Sequence, residues 1–262
     1  MKSAVVLLNF GEPEDPTLES VTAFLERIFN LNKDLERHVD HAAAAARSHA
    51  LAVQRAPSLV ADYHAIGGSP LHRQAREQAS ALHAELEKRG TPALVLLGMQ
   101  FTEPSIDDAV RAALKQGATR IIGLPVYPLC GPTTTVAALA ELAAAVEQHS
   151  LSAAMWEIAG WHRHPVYIDF RAQLIRETAA RAGISLDDPR VHLVFSAHGT
   201  PLKYLREGSR YEEYVVNCCA AVAAAAGANT YTIGYQNHSN RPLEWTQPAV
   251  DSVIDGIDAD HV

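Results

Sequence analysis

The chain has 262 residues, 48% hydrophobic and 20% charged, with a formal net charge of −8. That suits a folded protein with one large or two medium domains, and the acidic balance argues against nucleic acid or an anionic membrane as the main partner. No apolar run approaches the roughly 20 residues that span a bilayer. The N-terminus enters a strand without the basic region and cleavage site of a secretory leader. Cys130, Cys218 and Cys219 form no Cys-x-x-Cys pair, so free thiols in a reducing, cytoplasmic compartment are expected.

In chain order, residues 3–8 are a short apolar run, a buried strand, broken by Asn9-Phe10-Gly11-Glu12-Pro13. A helix opens at Thr17 or Glu19 and reaches Ile28. Residues 32–63 read mostly as Ala-rich helix ending near Pro57. On it His38, His41 and His49 share one face, either catching a metal or simply solvated. Two glycines and a proline force a loop at Tyr63-His64-Ala65-Ile66-Gly67-Gly68-Ser69-Pro70-Leu71, and the helix after it stops at Gly90. A regular alternation follows. Strands are expected at 93–97, 119–126, 153–158, 191–198 and 230–234, and helices at 104–116, 133–149, 165–182, 209–226 and 247–257. Strands alternating with helices predict an α/β fold with parallel sheets and right-handed crossovers.

The stretch Val191-His192-Leu193-Val194-Phe195-Ser196-Ala197-His198-Gly199-Thr200-Pro201-Leu202 organises the rest. Its apolar run is a strand that Gly199 and Pro201 stop abruptly, which leaves the His198 imidazole at the strand's carboxyl end. In open parallel sheets ligands bind there.

Two places in the chain look alike. Strand plus Phe10-Gly11-Glu12-Pro13 resembles strand plus His198-Gly199-Thr200-Pro201, and strand plus Gly98-Met99-Gln100-Phe101 resembles strand plus Gly234-Tyr235-Gln236-Asn237. The expectation is two similar Rossmann-like α/β domains, residues 1–150 and 151–262, with four strand ends facing one cleft. In the second half the chain stops at Val262, where the next strand should begin, so the second sheet is expected to lack its last strand or strands through truncation.

With these pieces in order, the sequence resembles the ferrochelatase family along nearly its whole length. The resemblance rests on Leu7-Leu8-Asn9-Phe10-Gly11-Glu12-Pro13, Tyr63 to Leu71, Gly98-Met99-Gln100-Phe101 through Pro104 and Ala109, Phe195-Ser196-Ala197-His198-Gly199-Thr200-Pro201, and Tyr235-Gln236 with Glu244-Trp245 and Pro248. There are three departures. The glycine loop is one residue shorter than the usual Ile-Gly-Gly-x-Ser-Pro-Leu. Asn237-His238-Ser239-Asn240-Arg241 replaces the usual Ser-x-x-Gly stretch, and the family's later glutamate-bearing turn falls beyond Val262.

The resemblance implies insertion of ferrous iron into protoporphyrin or coproporphyrin in haem biosynthesis. Two pyrrole N–H protons must leave and the macrocycle must bend. His198 is the main candidate, as proton acceptor or as metal ligand, since an imidazole can do either near neutral pH. Phe10 can stack on a macrocycle or be core. Ile66, Met99, Phe101, Tyr127, Leu129 and Trp245 are candidate apolar walls. Thr133, Thr134 and Thr135 open a helix whose N–H groups and hydroxyls can hold a propionate, or they cap it. Tyr63, His238 and Arg241 can reach the propionates or the rim. His162 and His164 read as surface residues. Glu12, Glu14 and Asp15 can conduct iron or protons, or serve as an acidic helix start.

Iron is expected as substrate, without a tightly bound cofactor. Three scattered cysteines do not supply the roughly four thiolates of an iron–sulfur cluster, and no P-loop or Gly-x-Gly-x-x-Gly is present. Porphyrin and ferrous iron are the partners implied, with room for peripheral membrane or haem-pathway contacts. Three alternatives stay open: a sirohydrochlorin-type chelatase for cobalt or nickel, against which the first-half Phe10 counts, a tetrapyrrole-binding protein without catalysis, and a two-lobed small-molecule binder that shares only the architecture.

Overall fold

The centre of the first sheet is the run Ser-Ala-Val-Val-Leu-Leu-Asn, which forms β1 (Ser3–Asn9), buried from Ala4 onward. In the computed structural model, which describes residues 2–31, 41–150, 152–237 and 243–262, β1 lies between β2 (Leu94–Met99) and β3 (Arg120–Pro125). A short fourth strand, β4 (Ala154–Glu157), pairs with β3. All pairings are parallel, in the order β2-β1-β3-β4. A strand with neighbours on both edges and helices over its faces has no solvated side, which is why β1 is continuously apolar rather than alternating.

α4 (Ile106–Lys115) and α5 (Ala137–His149) pack Ile106, Val110, Leu139, Leu142 and Val146 against Val6, Leu8 and Ile121. α4 begins at a capping box in which Ser105 and Asp108 satisfy each other's backbone N–H groups. A second cluster joins α1 (Leu18–Leu31) to α2 (His41–Ala65) through Val21, Phe24, Leu25, Ala52, Ala56, Tyr63 and Phe101. Here α2 departs from expectation and runs straight through Pro57. Leu59, Val60 and Tyr63 lie beyond the proline and bury themselves in this cluster, which outweighs the backbone hydrogen bond the proline gives up. α3 (Leu71–Lys88) follows the glycine loop and lies against β2.

The chain divides into two compact units. One holds the residues up to Tyr127 together with Thr133–Ile158, and the other holds Pro128–Pro132 and Ala159–Val262. The first unit therefore extends past the expected boundary at 150, because β4 pairs with β3. In the second unit, among the described residues, β5 (Leu193–His198) and β6 (Tyr231–Gln236) form a two-stranded parallel sheet. Their core is made with α6 (Pro165–Arg181) and α8 (Tyr211–Ala226), through Ile168, Val215, Cys218, Cys219, Val222 and Tyr235. A short α7 (Leu202–Arg206), not expected from the sequence, follows β5, and α9 (Val250–Asp255) lies on β6. Gly234 permits this close approach: a Cβ there would stand 2.6 Å from the Val250 Cα. No described helix is long and apolar enough to cross a membrane.

The last residues of the chain pair with the start of the β5 segment. His192 N donates to the His261 carbonyl (2.9 Å), whereas Leu193 N donates to the Thr230 carbonyl (3.1 Å) on the other side. Consecutive N–H groups of an extended chain point to opposite edges, so His261 occupies the edge away from β6. This pairing is one isolated bridge, Val191 to His261, just before β5, whereas β1 carries a full ladder on each edge. Arg190 helps to hold this segment, donating to Asp188 (2.7 and 3.1 Å) and pairing with Asp260 (3.5 Å). Its hydrogen bonds push the Asp188 carboxyl down to about 2. A depressed carboxylate contributes stability above its ordinary value, and that contribution is lost as pH falls toward 2. Arg190→Ala should raise the Asp188 titration only part of the way toward the ordinary value, because the backbone N–H of residue 190 still donates to Oδ1 (2.9 Å), read as a shifted carboxyl titration by NMR.

Candidate active site

His198 and Gln236 end their strands in register. The His198 side chain is exposed while its backbone is held. Its carbonyl accepts from the Tyr211 hydroxyl (3.1 Å), and Gly199 N donates to the Gln236 carbonyl (2.9 Å). The chain then turns against residues 244–246. Thr200 N donates to Thr246 Oγ1 (3.1 Å), Thr246 N returns a bond to the Thr200 carbonyl (3.0 Å), and Leu202 N donates to the Glu244 carbonyl (2.8 Å). Pro201 and Trp245 form an antiparallel bridge within this clasp. The Asn237 amide donates to the Thr246 carbonyl (2.8 Å), and its Oδ1 fills the place where a Cβ on Gly199 would stand, 1.8 Å away. Gln236 Nε2 donates to Ser196 Oγ (2.8 Å). The corner is therefore rigid and the imidazole projects from it. Sequence reasoning missed Tyr211, Asn237 and Thr246; the signal available was Gly199, a glycine at a strand end with something packed against it.

The first unit repeats this geometry with different side chains. Leu8 lies opposite Gly98, and Ser196 lies opposite Gly234. Two residues further on in each unit stand Phe10 and His198. Phe10 packs on Phe101, with ring centroids 4.5 Å apart, and on Phe24 at 6.1 Å. Phe101 is buried in the same cluster and Met99 has no exposed surface, so both are packing residues of the unit rather than open walls. Leu129 likewise packs against the second unit's core. Phe10→Ala should cost about 2 kcal/mol of stability, less than a fully buried Phe, measured by denaturant unfolding. Tyr127 donates to Gln100 Oε1 (3.1 Å), and burial lifts its phenol above the usual range. Ile66 is 70% exposed at the tip of the glycine loop, whereas Tyr63 beneath it is buried. Trp245 is half-buried.

Thr133 and Thr134 are half-exposed and Thr135 is fully buried. They do not open a regular helix. Pro132–Val136 is one π-helical turn, and α5 starts after it with Val136 as an N-cap that makes no side-chain bond. π-turns concentrate at functional sites.

The acidic first turn is not an open funnel. The Glu12 carboxylate accepts from Ser69, and Glu14 pairs with Arg76 at 2.7 Å. Thr17 caps α1, accepting from Ser20 N at 3.1 Å. His162 corrects its surface reading: it is buried against the Tyr214 ring (centroids 5.0 Å apart), and burial lowers its pKa. His164 is exposed at the start of α6. His49 meets Glu26 at 3.2 Å, while His38, His238, Arg241 and the side chain of His41 lie outside the described residues. Among the described residues no group of three or more His, Cys, Asp or Glu is placed to hold a metal. Burial pushes the Cys219 thiol up to about 12, so it is not a thiolate ligand at neutral pH.

Two α/β units with parallel strands define a chelatase-type fold. A solved structure, SirB from Bacillus subtilis with Fe3+, shares it with a TM-score of 0.54 at 12% identity, covering 97% of this chain and 71% of that one. The Ferrochelatase family profile matches residues 2–262. The ferrochelatase of Synechococcus sp. (strain JA-3-3Ab) is 33% identical over 264 residues, covering 98% of this chain and 75% of that protein. The ferrochelatase of Aeromonas hydrophila is 29% identical over 265 residues, covering 98% and 79%. The chain belongs to the ferrochelatase family.

Proposed function

We propose that this chain inserts ferrous iron into a dicarboxylic or tetracarboxylic porphyrin, protoporphyrin or coproporphyrin, in the haem pathway of the cytoplasm. Family membership supports the reaction, and the observation that carries the site is an exposed imidazole on a hydrogen-bonded corner at a strand's carboxyl end. Insertion replaces two pyrrole N–H protons by one Fe2+, so two protons leave for each iron that enters. His198 accepts a proton from the macrocycle as the metal approaches. An imidazole can accept a proton near neutral pH and pass it on to water. Tyr211, Thr246 and Asn237 keep the imidazole's backbone in place, so that it does not have to be ordered during the reaction. The half-exposed Thr133 and Thr134, on their π-turn, are the proposed propionate contacts.

The test is an anaerobic assay of the purified chain with porphyrin and Fe2+, following loss of the free-base spectrum. A parallel sample receives sirohydrochlorin and Co2+. Turnover with porphyrin and Fe2+ supports the proposal. Turnover confined to sirohydrochlorin, or porphyrin binding without insertion, overturns it.

A further inference from the structure

We infer that Glu12 is a positioning residue, whose carboxylate fastens the glycine loop at Ser69 so that Ile66 is presented to the porphyrin. The inference rests on the function proposed above. Gly67 and Gly68 adopt positive φ (78° and 88°), and a Cβ on either would meet nothing within 4 Å. The loop tip thus has no packing of its own, yet it carries an isoleucine that is 70% exposed. What fixes it lies at its two ends. Ser69 after the glycines donates to the Glu12 carboxylate, and Tyr63 before them is buried in the unit's interior. Gly68 N closes the turn on the Tyr63 carbonyl (2.8 Å), and Ser69 Oγ also accepts from Leu71 N (3.1 Å).

Glu12 is itself well placed to serve as an anchor. It follows Gly11, whose φ of 83° turns the chain, and a Cβ on Gly11 would stand 2.3 Å from Thr102 Oγ1. That hydroxyl in turn meets His72 Nε2 (3.2 Å), a buried residue in the first turn of α3. The turn after β1, the turn after β2 and the start of α3 are thus tied together, with Glu12 on the side toward the loop. Burial and the neighbouring Glu12 charge push the Tyr63 phenol up to about 12, so it stays neutral at its place under the loop across the working pH range. A loop held from both ends offers its apolar tip to a flat macrocycle without first having to be ordered.

The experiment uses the full chain and the variants Glu12→Ala, Ser69→Ala, Glu12→Gln and Ile66→Ser. Amide exchange at Gly67 and Gly68, measured without substrate, should quicken by about tenfold in Glu12→Ala and Ser69→Ala, as expected for losing a bond to a carboxylate. It should stay near wild type in Glu12→Gln, whose amide oxygen still accepts, and in Ile66→Ser. With deuteroporphyrin and Fe2+, KM should rise by about tenfold in Glu12→Ala and in Ile66→Ser, with kcat within twofold. Unchanged loop exchange in both Glu12→Ala and Ser69→Ala would overturn the clamp. Faster exchange with an unchanged porphyrin KM would overturn the link to substrate. A wild-type chain that binds no porphyrin would instead overturn the function proposed above, while the exchange measurement would still decide the clamp.

Discussion

His198→Ala should lower iron insertion by at least about 100-fold while leaving porphyrin affinity within about twofold. The magnitude is that of a lost general base, about 100- to 10,000-fold. The selectivity follows from where the side chain stands. The corner is held by backbone groups of His198, Gly199, Thr200 and Leu202 and by Tyr211, Gln236, Glu244 and Thr246, none of which needs the imidazole. Those bonds do not involve the ring, so its removal leaves them intact. Single-turnover insertion under anaerobic conditions, with porphyrin fluorescence quenching to read binding, separates the two quantities. If affinity fell with the rate, His198 would be a binding residue, and the proton would have to leave by another group.

Gly199→Ala should do more damage than its single methyl suggests. The new Cβ would fall on Asn237 Oδ1 at 1.8 Å and on the Gln236 carbonyl at 2.9 Å. Asn237 can swing away only by giving up its bond to the Thr246 carbonyl, and the Gln236 carbonyl is backbone that already accepts from Gly199 N. Relief by moving the corner would displace His198. Overpacking of this kind costs about 1–3 kcal/mol, and a misplacement of about 1 Å can reduce the rate about 100-fold. A lower unfolding midpoint together with lost turnover is therefore expected. Gly199→Ala combined with Asn237→Gly should recover part of both, because the second change removes the first collision.

How much of this the sequence carried depended on distance along the chain. β1 was legible because a strand between two neighbours is apolar at nearly every position, and β5 because its apolar start is stopped by Gly199 and Pro201. The helices from residue 104 onward were legible from their glycine stops and apolar spacing. Pro57 misled, because the residues that keep α2 helical beyond it are held by α1 rather than by local preference. Thr133, Thr134 and Thr135 read as a helix start because cap chemistry and a π-turn draw on the same residues. The candidate site was half-legible. His198 stood out from its strand corner, but the partner that clasps Thr200 is 46 residues away. Nor does anything near His162 announce that Tyr214 will cover it. The role of Glu12 was hidden similarly, since an acid beside a proline looks like helix-start chemistry until Ser69 is brought to it.

The matching offset of the two glycine-paired strands has an evolutionary consequence. Phe10 and His198 stand at the same offset beyond the glycine-paired positions of their strands, the pattern that a duplicated unit would leave. One descendant retains a titratable ring, and the other has given that place to an aromatic plug welded into its own interior. On the function proposed above, the second unit keeps the reactive ring at this place and the first unit uses it for packing. The reverse exchange, Phe10→His, would therefore not simply restore symmetry: the transplanted imidazole would inherit a pocket shaped by Phe24 and Phe101.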